Sequence, residues 1–134
     1  MATLVIDANV FVEACLAPTS FGPLSRHQLL GPPHLQAEAL SVLHELLFRG
    51  EITKELASIA LDRFEGSPCE IRRPPELART AWRIAEQLGW AKTYDAEYVA
   101  LAQLLGCPLV TIDSRLARGA GRLVKIMSPR EVQD

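Results

Sequence analysis

The sequence predicts an α/β fold in three layers, with helices covering both faces of a central parallel sheet. Two observations point there first: residues 4–6 (Leu-Val-Ile) and 109–112 (Leu-Val-Thr-Ile) are short apolar runs, each halted by an aspartate, Asp7 or Asp113. Such runs are the mark of strands buried on both faces. Between them lie several segments of helical apolar spacing punctuated by Gly and Pro, and strands alternating with helices build parallel sheets. At 134 residues with 49% apolar side chains, the chain is expected to be a single domain spanning residues 1–134. No internal repeat or low-complexity stretch interrupts it.

After the first strand, residues 8–17 carry only Asn9 and Glu13 as polar side chains, so this helix lacks a solvated face and should be buried or held at an interface. Residues 18–34 hold four prolines and two glycines, which predicts an irregular connection. Residues 35–49 set Ala39, Leu40, Leu43, Leu46 and Leu47 on one side of a helix, with Glu38, Val42, Glu45 and Arg49 on another, and Gly50 closes it.

Thr53 suits the N-cap of the next helix, in which Leu56, Ile59, Ala60 and Phe64 recur before Gly66 and Pro68. Residues 69–72 read as a short strand, and Pro74-Pro75 opens a helix through Leu88 that stops at Gly89. Thr93 can cap a further helix ending at Gly106 and Pro108. Residues 123–127 read as the last strand, before Ser128-Pro129.

Composition excludes several classes. Fourteen basic against sixteen acidic residues leave a net charge of −2, which nominates no polyanionic or membrane partner by itself. No apolar run nears the ~18 residues of a membrane span, and Met1-Ala2-Thr3 leads directly into a strand without a charged leader, so a cytoplasmic protein is expected. Cys15, Cys69 and Cys107 are odd in number, widely spaced and lack a C-x-x-C pair, which argues against a disulfide framework or a zinc site. His27, His34 and His44 show no ligand spacing and read as loop or helix-surface residues.

In a parallel sheet with right-handed crossovers, the loops leaving the strands gather at one edge, where ligands bind. Asp7 and Asp113 follow strands directly, and Asp95 lies in the first turn of the helix feeding the strand at 109–112. Each alone has an ordinary explanation as a cap or turn residue. Three on one edge repel one another and call for a cation. With carboxylates and no soft donors the ion is hard, Mg²⁺ in the first place, and its chemistry is that of phosphoesters. Glu38 is a candidate fourth acid, with a solvated helix position as an equal reading, because the direction of its helix is open.

These segments resemble a known family. Val5-Ile6-Asp7-Ala8-Asn9-Val10, Pro33-His34-Leu35-Gln36-Ala37-Glu38, Tyr94-Asp95-Ala96-Glu97-Tyr98-Val99-Ala100-Leu101-Ala102 and Leu109-Val110-Thr111-Ile112-Asp113-Ser114-Arg115-Leu116 resemble the PIN-domain ribonucleases, and among them the VapC toxins of bacterial toxin-antitoxin pairs. Order and spacing match over nearly the whole chain. The YDAxYVALA segment followed by LVTxDxRL is the specific part. The resemblance implies a PIN-like α/β/α sandwich and hydrolysis of single-stranded or loop RNA with Mg²⁺ or Mn²⁺. It places the four acids at Asp7, Glu38, Asp95 and Asp113, with Asn9 and Thr111 supporting them. Ser114 stands where these toxins commonly carry a charged residue.

An RNA strand also needs cations, and Arg115, Arg118, Arg122, Lys125 and Arg130 follow Asp113 with no acid among them over residues 114–130. Arg115 and Arg118, next to the acid, are the leading candidates. The Gly119-Ala120-Gly121 turn offers backbone N–H groups near phosphate. The resemblance further implies a homodimer and an antitoxin, whose C-terminal segment would lie between the helices at 35–49 and 54–65 and could set a basic side chain among the acids.

Other classes fit less well. A receiver domain would want an acidic pair after the first strand, and a dehalogenase-type phosphatase a second aspartate at Asn9. A non-catalytic module whose acidic pocket holds a partner's arginine, and an RNA-processing nuclease without an antitoxin, remain as alternatives.

Overall fold

The computed structural model describes residues 1–132. Five parallel strands, β1 (Thr3–Ile6), β2 (Gln28–Gly31), β3 (Glu70–Ile71), β4 (Leu109–Val110) and β5 (Ile126–Met127), form one sheet in the order β3-β2-β1-β4-β5. The helices are α1 (Ala8–Leu16), α2 (Leu35–Phe48), α3 (Lys54–Glu65), α4 (Leu77–Leu88), α5 (Tyr94–Leu105), α6 (Ser114–Ala120) and α7 (Pro129–Val132). The strand order runs outward from β1 in both directions, so the chain reverses its course between β1 and β4. That gap is where open parallel sheets bind ligands, beyond the carboxyl ends of the strands.

The core is apolar for the reason the sequence gives. Leu4, Val5 and Ile6 of β1 and Leu109 and Val110 of β4 are fully buried, as strands covered on both faces must be. Of the two readings of α1, buried or at an interface, the structure has the first. Val10, Phe11, Val12, Ala14 and Cys15 are buried, with Phe11 packed edge-on against Phe21 and Phe64 at 5.5 Å. Its apolarity therefore reflects the core and gives no ground for a partner.

Several expectations need correction. The connection at 18–34 contains a 3-10 helix at Gly22–Arg26 and the strand β2. Two leucines without β-branching, set between prolines, carry little strand propensity, and β2 forms because its neighbours β1 and β3 bury it. Residues 114–120 form α6, with Gly119 and Ala120 inside the helix rather than in an anion-binding turn. The strands expected at 69–72, 109–112 and 123–127 are confined to β3, β4 and β5, with Ile112 exposed beyond the end of β4, and α4 starts at Leu77 rather than at the prolines. On α2 the inward residues are Leu35, Ala39 and Leu43, with Val42 and Leu46 against the core and Leu40 exposed.

Thr53 caps α3 through its hydroxyl, whereas Thr93 occupies the cap position of α5 without a side-chain bond. Among the described residues, no helix is long and apolar enough to cross a membrane.

Candidate active site: an acidic edge between β1 and β4

The chain emerging from β1 is capped at once. Asp7 accepts a hydrogen bond from Val10 N–H at 3.0 Å and starts α1. At the end of β4 the same device recurs: Asp113 accepts from Arg115 N–H (2.9 Å) and Leu116 N–H (3.1 Å) and starts α6. Each capping carboxylate is thereby fixed at the carboxyl edge of the sheet. Thr111 ties the two together. Its buried hydroxyl donates to Asp7 Oδ2 and accepts from Asp113 N–H at 3.0 Å.

The other two acids arrive on helices. Because β2 ends at Gly31 and α2 begins at Leu35, the first turn of α2 lies at the same edge as Asp7, and Glu38 is in that turn. The turn is close: a Cβ on Gly31 would fall 2.3 Å from Leu35 Cδ2. Glu38 accepts a 2.7 Å hydrogen bond from the hydroxyl of Tyr98, a residue otherwise sealed in the core. Asp95, in the first turn of α5, receives the Arg115 guanidinium at 3.3 Å. Glu38, Asp95 and Arg115 line one cavity of about 420 Å³ with Trp90, Lys92 and Tyr94.

Two of the four acids, Asp7 and Asp95, are raised by their surroundings. Asp7, buried to 4% exposure, is pushed up to about 6 by desolvation, with the charges of Asp113 and Asp95 adding and the bonds from Thr111 and Val10 opposing. Asp95 is also raised, by burial first and then by Glu38, with Arg115 drawing it back. Burial and the bond to Glu38 hold the Tyr98 phenol far above its ordinary range, so it serves Glu38 as a hydrogen-bond donor only. The thiols are no competitors, since burial pushes Cys15 up to about 11 and Cys69 to about 12.

Sequence reasoning missed His34. It is not a surface residue: its Nε2 lies 3.6 Å from Glu38 and its Nδ1 3.6 Å from Glu97, and its ring packs on Tyr94 and Tyr98 with centroids 5.3 and 5.0 Å away. Both ring nitrogens are buried without a hydrogen-bond partner among the described residues. The signal was available in the four-residue spacing from His34 to Glu38, one turn of helix. Of the remaining candidates, Asn9 is exposed at the start of α1, with no hydrogen bond to an acid among the described residues, and Arg118 is exposed on α6 outside the cavity lining.

Among the described residues, no three His, Cys, Asp or Glu side chains stand close enough to close around one ion. The donor chemistry nonetheless suits a hard, hydrated cation. Mg²⁺ typically takes one or two carboxylates and keeps several waters, and two of these acids, Asp7 and Asp95, are raised by burial first and by their acidic neighbours second, a penalty that a cation would offset.

Residues 4–122 match the PIN domain family. Ribonuclease VapC3 of Mycobacterium tuberculosis (strain ATCC 25618 / H37Rv) is 33% identical over 86% of this chain and 85% of its own length. Ribonuclease VapC1 of the same strain is 34% identical over 90% and 93%. The chain belongs to the PIN-domain family, in its VapC ribonuclease branch. The fold agrees. PAE2754 from Pyrobaculum aerophilum superposes with a TM-score of 0.74 at 24% identity, covering 99% of this chain and 96% of that one. VapBC2 from Rickettsia felis, bound to a DNA fragment from its promoter, gives 0.63 at 17%, covering 94% and 98%.

Proposed function

We propose that the chain is a divalent-metal-dependent endoribonuclease, the toxin of a VapBC-type toxin-antitoxin pair, that hydrolyses RNA phosphodiesters at the edge between β1 and β4. The observation that carries this reading is the gathering of Asp7, Glu38, Asp95 and Asp113 at that one edge, two capping helices and two in first turns, where Asp7 and Asp95 are raised by burial and by their acidic neighbours. The printed names of its VapC relatives support the ribonuclease assignment.

In this reading Asp7 and Asp95 would be the firmest holders of Mg²⁺, or Mn²⁺ in its place, with Asp113 and Glu38 meeting it directly or through its waters. Bound there, the ion would supply an acidified water and neutralise charge on the phosphoryl oxygens. The chain's own residues do the rest. Thr111 fixes the Asp7 carboxylate by donating to Oδ2, and Tyr98 fixes Glu38 by donating to Oε1, so neither has to be ordered when substrate arrives. Asp95, half-buried and raised, stands on the cavity wall, where Arg115 would leave its Oδ2 to meet a phosphate, and a carboxylate left free of the ion would take the proton of the attacking water. Arg115 is thus an RNA contact as well as a counter-charge, and Arg118 reaches the strand further along α6.

Partners follow from the same reading. Leu40 and Phe48 on α2 and Ile59 and Leu61 on α3 are exposed apolar side chains, a surface suited to an antitoxin segment. A homodimer is expected in solution and would show by light scattering at micromolar concentration.

The deciding experiment is RNA cleavage by the purified chain. Cutting should occur with Mg²⁺ or Mn²⁺, cease with EDTA, and be lost in an Asp7→Asn, Asp95→Asn double variant. Equal cutting in chelator, or full activity in the double variant, would refute the proposal.

A further inference from the structure

The cavity beside the acids has a second half that the carboxylates do not explain. The segment joining α4 to α5 contributes Gly89, Trp90, Ala91, Lys92 and Tyr94 to its wall. Tyr94 immediately precedes Asp95, yet its side chain is 57% exposed, unlike Tyr98 one turn later, which is buried and bonded to Glu38. A large ring left in water next to a catalytic acid calls for an explanation.

The ring is also held in place. On its inner side it packs on His34, at 5.3 Å between centroids, and His34 in turn packs on Tyr98 at 5.0 Å. This row of three rings backs Tyr94 against the core and leaves its outer side open. Trp90, elsewhere on the lining, is equally fixed. Trp90 is pressed against α6, so closely that a Cβ on Gly119 would come within 2.9 Å of its Cζ2, and Trp90 N–H bonds back to the Ala85 carbonyl at 2.8 Å. Lys92 lines the same cavity, exposed and without an acidic partner among the described residues.

A pre-ordered aromatic face, a free ammonium and a cleft of about 420 Å³ make up the chemistry by which proteins hold one unpaired nucleotide. The base stacks on the ring, where any base offers a π-face, and the adjoining phosphate meets the cation. We propose that Tyr94 and Lys92 form a nucleotide subsite that stacks the base next to the scissile phosphate, holding that phosphate against Asp95. The proposal rests on the nuclease reading above and adds to it the two residues that would take the unstacked base and its phosphate. Tyr94 is on this account a substrate-positioning residue, and Lys92 a phosphate contact.

The test is fluorescence anisotropy with the full-length chain carrying Asp7→Asn, so that RNA is bound and not cut. Two labelled probes are compared, a single-stranded oligoribonucleotide of mixed sequence and a strand of equal length with abasic ribose spacers. Adding Tyr94→Ala should weaken the base-bearing strand on the order of tenfold and leave the abasic strand within about twofold. Tyr94→Phe, which keeps the ring, should bind both as the parent does. Lys92→Ala should weaken both strands and flatten the salt dependence by about one released counterion. If Tyr94→Ala weakens both strands by the same factor, the ring only props His34 and the subsite is refuted. If the wild-type chain cuts RNA while Tyr94→Ala in the Asp7→Asn background binds the base-bearing strand as tightly as Asp7→Asn alone, the subsite falls and the nuclease reading stands. Failure of the chain to cut or bind any RNA would overturn both.

Discussion

Asp7 and Asp113 are held by the sheet; Glu38 and Asp95 are held by helices. The first pair caps α1 and α6 with backbone hydrogen bonds and shares the buried Thr111 hydroxyl. The second pair depends on other side chains, Tyr98 and His34 for Glu38 and Arg115 for Asp95, and stays half in water. The sheet half is therefore pre-ordered at the cost of a desolvated carboxylate. The helix half is looser and carries the cavity through which a substrate would approach.

The largest expected contrast between the halves is catalytic. Asp7→Asn should reduce RNA cleavage at least on the order of a hundredfold, since Asp7 is rigid and no neighbour can replace its charge. Glu38→Gln keeps the bond from Tyr98 and should lose about tenfold, as changes to supporting groups around metal sites do. Initial rates of both variants under saturating Mg²⁺ decide the matter. A greater loss in Glu38→Gln would invert the comparison.

The next effect is in the pH dependence of metal-free stability. Asp7 binds its proton more tightly when folded, near pH 6, than at its ordinary value of 3.8. Its ionisation penalty is therefore absent below about pH 4, grows from there to pH 6, and is complete above. That is a loss of about 3 kcal/mol as pH rises, at 1.36 kcal/mol per unit. Asp95 acts in the same direction. In EDTA, Asp7→Asn should melt higher than wild type at pH 7.5 and no higher at pH 4. A wild-type chain whose stability rises across that window would contradict the desolvated carboxylate.

The two halves also differ in how much of them the sequence discloses. An acid that ends an apolar run declares its own position, so Asp7 and Asp113 could be set at the sheet edge from the pattern alone. Asp95 follows from the order of helix and strand. Glu38 could not be placed, and the reason is β2. Its Gln-Leu-Leu-Gly run among prolines hid a strand whose existence alone points the first turn of α2 at the site. His34 was missed because three of its four neighbours, Tyr94, Glu97 and Tyr98, come from α5, with only Glu38 from its own helix. Helix α6 hid behind Gly119 and Gly121, where packing against Trp90 overrides weak propensity.

Hydrogen bonding supplies a finer comparison. Thr111→Val removes a donor to a buried carboxylate and orphans the Asp113 N–H, which should cost about 1–3 kcal/mol and push Asp7 further up. Tyr98→Phe removes one bond to Glu38, whose carboxylate can turn to water, and should cost about 0.5–1.5 kcal/mol. Chemical denaturation of both variants without metal should rank Thr111→Val as the more damaging. The reverse order would mean that Glu38 is the more tightly held acid.

The smallest effect concerns Arg115. Its side chain is 71% exposed and meets Asp95 at 3.3 Å, a geometry that contributes under about 1 kcal/mol in water. Arg115→Gln should therefore leave the metal-free melting temperature nearly unchanged. Its effect should appear instead in binding. With the guanidinium gone, Asp95 loses its counter-charge, so the rise in melting temperature on adding Mg²⁺ should be larger than in wild type. The RNA affinity should fall, because the same cation is lost to phosphate. The two shifts have opposite signs, which a merely structural arginine would not give: loss of folding would lower both responses together. Parallel titrations with Mg²⁺ and with a single-stranded RNA would then separate a counter-charge that yields to the substrate from a fixed strut of the helix half.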